Sequence, residues 1–385
     1  MGALSFWTEV EYMTDNLEKI KETAKELKLD ALLITDGYNM QHISSYSGHE
    51  GALLITDDKA FLLTDSRYTE LAGKEAVKFT VLDIKGKKYP ECIKELLLEN
   101  ASKEEGGILR LGFENKSISY EAYRKYKEEL EGVAELTDLE SHVSDMRKIK
   151  TPDELECLAK AESIGDEAFS YITGYLKEHV KDGITETDVA LELEVYMRKH
   201  GASALSFDTI AASGVNSSMP HAVPSGKVIE KGDFLTMDFG CVYKGYCSDM
   251  TRTVFIGGKE DILEEQLRVY ETVYTAQTES LKMIKPGVKC SDVDKCARDI
   301  IAKAGYGDYF GHGLGHGVGL YIHEEPRFSP KCDEVLSAGV VITCEPGIYL
   351  PGRFGVRIED MVAVTENGYE NLAHSEKKLI YIDID

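Results

Sequence analysis

The sequence has fewer basic than acidic residues and no long apolar segment, and each of these features argues against a class of protein. Its 385 residues include 44 lysines and arginines against 68 aspartates and glutamates, which gives a formal net charge of -24. Phosphate binding needs clustered basic side chains, so this balance argues against a nucleic-acid partner. No apolar run approaches the roughly 20 residues of a membrane helix, and residues 1–7 lack the features of a signal peptide. We therefore expect a cytoplasmic protein with no membrane partner.

Cysteine pairs with metal-ligand spacing are also missing. The eight cysteines are scattered without a CxxC pair: Cys92, Cys157, Cys241, Cys247, Cys290, Cys296, Cys332 and Cys344. Without a secretion signal, reduced thiols are expected rather than disulfides. Cys344 precedes Glu345, but neighbouring residues of a strand point to opposite faces of the sheet. We therefore expect Cys344 to point away from any metal that Glu345 binds.

The first part of the chain alternates helical and strand patterns. A helix is predicted at 16–27 and a strand at 31–35, followed by a strand pair at 51–56 and 60–64 across the turn Asp57-Asp58. A chain of this length favours two domains. The pattern predicts an α/β domain over residues 1–146.

A helix-start signal marks the boundary to a second domain, residues 147–385. Thr151, Pro152 and Glu154 have the spacing of a capping box with proline at the first helical position, which predicts a long helix. Further helices are predicted at 185–200, 261–285 and 291–304, and strand-rich segments lie between and after them.

Two segments of the second domain resemble each other. Residues 232–240 and 339–347 align with glycine, threonine, an acid and glycine in register. Each is followed by a turn and a second predicted strand, at 246–253 or 355–362, that carries another acid. The four acids are Asp238, Asp249, Glu345 and Glu359. The recurrence predicts two related halves that contribute two carboxylates each, the alternative being a chance match of short strands.

Four carboxylates on facing strands need a compensating charge. Like charges within about 4 to 6 Å raise one another's pKa and resist burial. Two divalent cations would offset four negative charges, and a neutral imidazole from His316 could complete the ligand set. Any one of these acids alone would be read as an ordinary surface residue, so the prediction depends on their paired placement.

The segment 311–319 places His312 and His316 four residues apart. On a helix this spacing could form a zinc pair, but five of the nine residues are glycines, each of which costs a helix about 1 kcal/mol. A strand or loop that approaches a site closely is expected instead. The sequence has no HExxH zinc motif, no GxSxG nucleophile motif and no lysine placed for a phosphate loop.

Together these motifs resemble those of the pita-bread metallopeptidases, in particular the prolidase and Xaa-Pro aminopeptidase branch. The matching stretches, besides segment 311–319, are Pro220-His221-Ala222, Met237 to Gly240, Ser248 to Arg252, His323-Glu324, Glu345-Pro346-Gly347 and Val356 to Asp360. The resemblance implies an α/β (α+β) protein with a creatinase-like N-terminal α/β domain followed by a pita-bread domain with a pseudo-twofold repeat. It is looser in the first domain, where residues 65–68 and 146–150 fit it.

The resemblance also implies a set of ligands for two divalent metal ions. They are Asp238, Asp249, His316, Glu345 and Glu359. In this assignment Asp238 chelates one ion, and Asp249 and Glu359 bridge both ions. Manganese is favoured by the resemblance, while the ligand types also suit cobalt or zinc.

Roles in binding and catalysis are likewise implied by the resemblance. His221 and His323 would hold the substrate carbonyl and the developing oxyanion, and Glu345 could shuttle a proton to the leaving proline nitrogen. The predicted substrate-binding residues are His312, Arg357 and Tyr349. His312 would line the proline pocket, whereas Arg357 and Tyr349 would brace the ligands. The alternatives are an ordinary loop histidine for His221 and an ordinary strand neighbour of an acid for Arg357.

The predicted reaction is hydrolysis of the peptide bond before proline in proline-containing peptides, by an Xaa-Pro aminopeptidase or an Xaa-Pro dipeptidase. A water that bridges two metal ions loses its proton near neutral pH and would be the nucleophile. The sequence leaves open whether dipeptides or longer peptides are cut. A homodimer is expected. The competing interpretations are a creatinase-like hydrolase that cuts a C–N bond without metal and a pita-bread binding protein without catalysis.

Overall fold

The computed structural model describes residues 15–100 and 107–384. The chain divides into two compact units, the first ending at Arg147 and the second beginning at Lys148. The boundary predicted from the sequence lies one residue earlier. Among the described residues, no helix is long and apolar enough to cross a membrane.

The first unit is built around a six-stranded sheet in the order β4-β3-β2-β1-β5-β6. Its strands are β1 (Ala31–Ile34), β2 (Ala52–Thr56), β3 (Ala60–Thr64), β4 (Thr80–Asp83), β5 (Leu109–Phe113) and β6 (Ala134–Asp138). Its helices are α1 (Asn16–Glu26), α2 (Gly37–Ser44), α3 (Thr69–Glu75), α4 (Tyr89–Asn100), α5 (Tyr120–Glu129) and α6 (His142–Asp145). Strand β2 is antiparallel to β1 and β3, which confirms the predicted strand pair, and the other pairs are parallel. Alternate residues of β1 pack into two different cores, Leu32 on one face and Leu33 on the other, so apolar side chains cover both faces.

The second unit begins with the predicted long helix. Its helices are α7 (Pro152–His179), α8 (Glu186–Lys199), α9 (Glu264–Leu281) and α10 (Cys290–Lys303). The Thr151 side chain accepts from the backbone of Glu154, whose carboxylate accepts from the backbone of Thr151, so the predicted capping box is confirmed. Helix α9 is shorter than the predicted 261–285. It starts later because Asp261 is held in a turn, where its carboxylate accepts a hydrogen bond from the backbone of Gly258.

The strands of the second unit form small sheets that the helices cover. They are β7 (Ala204–Leu205), β8 (Ile210–Ser213), β9 (Phe234–Phe239), β10 (Cys241–Tyr243), β11 (Tyr246–Cys247), β12 (Met250–Ile256), β13 (Gly315–Gly317), β14 (Glu324–Phe328), β15 (Val341–Cys344), β16 (Gly347–Leu350), β17 (Phe354–Arg357), β18 (Asp360–Val364), β19 (Tyr369–Asn371) and β20 (Tyr381–Ile382). The two larger sheets run in the orders β20-β12-β9-β8 and β14-β13-β15-β18-β19.

The two larger sheets share the same central strand pair. In the first, β9 pairs antiparallel with β12, and the short hairpin β10–β11 interrupts the connection between them. In the second, β15 pairs antiparallel with β18, and the short hairpin β16–β17 takes the same place. The two halves therefore share this interrupted strand pair, as the sequence repeat predicts, whereas their outer strands differ: β20 is parallel to β12, and β19 is antiparallel to β18.

The structure corrects one detail of the repeat. The strands predicted at 246–253 and 355–362 are each broken, and Asp249 and Glu359 lie at the breaks. Their backbone N–H groups bond outside their own hairpins, Asp249 to the carboxylate of Glu162 and Glu359 to the carbonyl of Thr251. Each half thus places its second acid where regular strand pairing stops.

Glycine in β13 allows the strands around His316 to approach closely. A Cβ atom built at Gly315 would lie 2.0 Å from the Thr343 carbonyl oxygen, so even a methyl group does not fit. The segment 311–319 is extended around this contact rather than helical, as its glycine content predicts.

Gly315→Ala is expected to lower the free energy of unfolding by about 1–3 kcal/mol, because the backbone must shift to remove the overlap. Gly174→Ala is the matched control. Gly174 lies within α7, and a Cβ there would have nothing within 4 Å, so this variant should gain roughly 0.5–1 kcal/mol. Denaturant unfolding of both variants in chelator measures the difference, and equal effects would contradict the close contact at Gly315.

Candidate metal centre and active site

One cavity of the second unit collects the five predicted metal ligands. It has a volume of about 730 Å³, and all five side chains line it: Asp238, Asp249, His316, Glu345 and Glu359. Asp238 lies on β9 and His316 on β13, whereas the other three acids lie at the ends or breaks of strands. The first half supplies Asp238 and Asp249, and the second half supplies the rest.

Donor atoms from the two halves lie close together in this cavity. The His316 Nε2 atom is 3.4 Å from Asp249 Oδ2 and 3.5 Å from Glu345 Oε1. One donor atom each from Asp249, His316 and Glu359 lies within 4.8 Å of the others. This spacing is compatible with several donors sharing a cation.

Burial and mutual repulsion decide the charge of these groups. Burial, reinforced by neighbouring carboxylates, raises the pKa of Asp249 and Glu359 well above the ordinary range. Burial raises the pKa of Glu345 to about 8, with Asp238 adding to the effect. Burial, assisted by His323, lowers the pKa of His316 to about 3, so its imidazole is neutral and can offer a lone pair.

The site's own chemistry supports a fit to divalent metal ions. Asp238 Oδ1 is buried without a hydrogen-bond partner, an arrangement that is costly unless a cation takes that place. Carboxylate oxygens with one neutral imidazole form a donor set that suits manganese, cobalt or zinc. Divalent cations would also remove the repulsion that raises the carboxyl pKa values.

Arg357 connects several residues behind the ligands. Its Nη2 atom lies 2.5 Å from Asp238 Oδ2, and its Nε atom donates to Thr251 Oγ1 at 3.0 Å. The Thr251 hydroxyl in turn donates to Glu359 Oε2 at 2.6 Å. The guanidinium also donates to the Tyr349 hydroxyl at 2.9 Å. Sequence reasoning missed Thr251, although it lies in a quoted motif, because its neighbours carry the more obvious chemistry.

Tyr349 braces the wall of the cavity rather than lining it. Its hydroxyl lies 3.0 Å from His312 Nε2 in addition to its bond from Arg357. Among the described residues that line the cavity, His312 and Arg357 are present and Tyr349 is not. This placement fits the bracing role predicted for Tyr349.

The predicted catalytic histidines also line the cavity. His221 lies on the loop after Pro220, and His323 packs edge-on against His316 with ring centroids 4.5 Å apart. Burial, together with the nearby charge of Arg327, lowers the pKa of His323, which favours a neutral ring with one N–H donor. Burial lowers the pKa of His312 to about 4.

The rest of the cavity wall combines apolar side chains with one more cation. Its apolar surface comes from Phe207, Ile210 and Ile322. The cation is Arg327, which lies on β14, the strand that begins directly after His323. None of these was selected from the sequence. The signal for Arg327 was its spacing of four residues from His323, which places both on one face of an extended segment.

Asp360 is adjacent to Glu359 in sequence, but its pKa is shifted in the opposite direction. Asp360 is buried, which by itself would raise its pKa, but Arg252 and Lys377 outweigh burial and hold the pKa below the ordinary value. Arg252 Nη2 lies 2.8 Å from one oxygen and Lys377 Nζ 2.5 Å from the other. The negative charge of Asp360 is thus balanced by basic side chains of the same chain, without a metal ion.

Asp249→Asn and Asp360→Asn are therefore expected to act in opposite directions in chelated protein. Asp249→Asn relieves repulsion and should raise the free energy of unfolding by about 1 kcal/mol or more, while weakening metal binding. Asp360→Asn leaves Arg252 and Lys377 poorly compensated and should cost about 3–5 kcal/mol.

Denaturant unfolding with and without added manganese, together with metal stoichiometry, measures both effects. Destabilisation of chelated protein by Asp249→Asn, with metal affinity unchanged, would remove Asp249 from the ligand set.

Comparison with known proteins matches both units to family models. Residues 16–149 match the Creatinase/Prolidase N-terminal domain, and residues 156–366 match Metallopeptidase family M24. These matches confirm the fold class predicted from the sequence.

Individual relatives cover nearly the whole chain. The Xaa-Pro dipeptidase of Pyrococcus furiosus is 40% identical over 369 residues, which are 96% of this chain and 100% of that protein. The solved structure of an Xaa-Pro dipeptidase from Bacillus anthracis has a TM-score of 0.85 at 39% identity and covers 95% of this chain and 99% of that one. An X-Pro aminopeptidase from Thermotoga maritima has a TM-score of 0.83 at 35% identity and covers 93% and 99%. The chain belongs to metallopeptidase family M24 and carries the creatinase/prolidase N-terminal domain.

Proposed function

We propose that this protein is a metal-dependent peptidase that hydrolyses the bond between any residue and a following proline, with Xaa-Pro dipeptides as its preferred substrates. The observation that carries the proposal is the convergence of four buried carboxylates and one neutral imidazole in a cavity with an apolar wall. The similar proteins named as Xaa-Pro dipeptidases support the choice of bond. As the resemblance implies, we also propose a cytoplasmic location and a homodimer.

Five side chains are proposed to hold two divalent ions, with manganese favoured. Asp238, Asp249, His316, Glu345 and Glu359 would hold them, since their side chains line one cavity. When bound, the ions supply Lewis acidity and lower the pKa of a water molecule, so that water can attack a carbonyl carbon.

The other residues of the cavity act on the substrate itself. His323 and His221 are proposed to donate hydrogen bonds to the scissile carbonyl oxygen, where negative charge develops during attack. Glu345 is proposed to take a proton from the attacking water and pass it to the departing proline nitrogen, because its carboxylate lies in the same cavity.

Proline specificity is proposed to depend on shape. A proline nitrogen within a peptide bond has no hydrogen, so its site needs no acceptor there. His312 would form one wall of the ring pocket, and its ring is fixed by the Tyr349 hydroxyl on one side and the Gly313 carbonyl on the other.

Arg327 favours dipeptides over longer peptides. The Arg327 side chain lines the cavity and is 42% exposed. Its Nε atom lies 3.9 Å from Glu325 Oε1, which is a long distance for an ion pair. Arg357 is instead held by Asp238 and Tyr349. An arginine can bind a carboxylate through two parallel hydrogen bonds. We therefore propose Arg327 as the partner of the free proline carboxylate of an Xaa-Pro dipeptide.

Metal removal and a change of substrate test the basic activity. Exhaustive chelation should abolish hydrolysis of Ala-Pro, and added manganese or cobalt should restore it. The value of kcat/KM for Ala-Pro should exceed that for Ala-Ala by roughly 10- to 200-fold, the range that shape discrimination supplies. Full activity in verified metal-free protein would favour the metal-free hydrolase instead, and equal values for the two dipeptides would remove the proline preference.

His323→Ala should lower kcat by about 10²-fold or more while both metal ions stay bound, because a donor to the developing oxyanion is lost. His221→Ala should behave in the same way. Kinetics combined with metal analysis of the purified variants separates the possibilities, since loss of metal along with activity would make the residue a ligand.

Arg327→Gln should lower kcat/KM for Ala-Pro by about tenfold or more, since removing one partner of a charge pair costs 2 kcal/mol or more. The C-terminal amide Ala-Pro-NH₂ is the matched control, because it has no carboxylate for Arg327 to bind. A similar loss on both substrates would show that Arg327 does not recognise the carboxylate and would leave aminopeptidase activity as the better interpretation.

A further inference from the structure

A buried ion pair lies beside the catalytic cavity and has no part in the proposed chemistry. Lys150 Nζ is 3.0 Å from Glu324 Oε2, and the two side chains are only 2% and 3% exposed. Both residues belong to motifs that the sequence resemblance includes, yet neither lines the cavity. Buried ion pairs add little net stability compared with apolar residues of the same volume, so the pair invites an explanation beyond folding.

The Glu324 carboxylate holds the loop that carries His323. Glu324 begins β14, directly after His323, and its Oε1 atom accepts a hydrogen bond from the backbone of Tyr321 at 3.2 Å. The carboxylate thus ties the backbone two residues before the histidine to the residue directly after it. A Cβ atom at Gly319 would lie 2.5 Å from Glu324 Oε2, so the loop closes tightly over this carboxylate.

His323 depends on this backbone for its position. Its ring lies near those of His316 and Tyr321, with centroids 4.5 Å and 6.1 Å away. These are ring contacts, which restrain a ring less than a hydrogen bond of fixed direction does. His323 and Glu324 are neighbours on an extended segment, so holding one side chain in the interior aims the other at the cavity.

Lys150 is itself fixed to the sheet that carries a metal ligand. Its backbone N–H donates to the Gly339 carbonyl at 2.9 Å, and the preceding Ile149 forms an antiparallel bridge with Val340. Val340 leads directly into β15, and Glu345 follows that strand. Through Lys150, the loop that carries His323 is therefore connected to the strand that leads to Glu345.

We propose that Lys150 and Glu324 are positioning residues that hold the His323 imidazole at the distance from the metal ligands that the reaction requires. The inference rests on the proposed function, in which His323 donates to the scissile carbonyl. A displacement of about 1 Å in such a donor can cost as much as 10²-fold in rate. The pair acts through His323 and does not contact substrate.

The test is a double-mutant cycle on kcat for Ala-Pro in the manganese-loaded full chain. Lys150→Met alone should lower kcat by about 10- to 10²-fold with KM and metal stoichiometry unchanged. In a His323→Ala background the same substitution should lower kcat no further, because the group that it positions is gone. Assays run well below the melting temperature of every variant.

Lys148→Met is the matched control. Lys148 lies two residues away on the same segment and pairs with Glu334 at a more exposed position. Its loss should leave kcat within about twofold, as expected for a partly exposed pair.

A variant with both charges replaced, K150M/E324M, keeps the inference testable if Lys150→Met alone does not fold. It leaves no unpaired buried charge, so it should fold, yet it lacks the hydrogen bonds that hold the loop. Its kcat should lie about 10- to 10²-fold below that of the wild type, with metal stoichiometry unchanged. Wild-type kcat in this variant, or additive losses from Lys150→Met and His323→Ala, would overturn the positioning role and leave the proposed function intact. An unaffected His323→Ala enzyme would instead remove the proposed role of His323 and this inference with it.

Discussion

Repulsion among buried carboxylates is the constraint on which the second unit depends. Asp249, Glu345 and Glu359 lie close together in one cavity, and their own burial raises the pKa of each carboxyl group. The protein's own basic side chains do not offset this repulsion, since the three pKa values stay raised although Arg357 pairs with Asp238. Arg357 touches Asp238 from behind, and the open side of the cluster faces the cavity. The site is therefore shaped to receive positive charge from outside the chain.

The neighbouring residue Asp360 shows that the chain can neutralise a buried acid when it needs to. Arg252 and Lys377 contact its two oxygens, and Gln277 and Asn371 add hydrogen bonds. Glu359 and Asp360 are adjacent in sequence but differ in environment, since Glu359 lines the cavity and Asp360 is paired with Arg252 and Lys377. Both carboxylates are buried, so what distinguishes the structural Asp360 from the proposed ligand Glu359 is the set of partners that each one has.

Local patterns in the sequence were sufficient for much of the fold and for naming four acids and a histidine that line one cavity. Apolar runs predicted β1 to β3, Thr151 and Glu154 predicted the start of α7, and the recurrence of acids predicted the paired halves. The breaks at Asp249 and Glu359 were not predictable, because they depend on the partners of single backbone N–H groups. The pair of Lys150 and Glu324 joins residues 174 positions apart, and only the folded chain brings them together. Arg327 was missed since an arginine four residues from a histidine has no distinctive pattern until the cavity is known.

The origin of the ligands in both halves has a consequence for folding. Neither half by itself contains the donors for the complete site, and in the unfolded chain the donors lie far apart in sequence. A cation that binds the assembled site therefore binds the native state in preference to the unfolded state, and it stabilises the native state by mass action. The stability of the second unit becomes a function of the free metal concentration around it. Ions held by the proposed ligands of both halves would thus act as a cross-link between the halves, one that forms and breaks with the supply of metal.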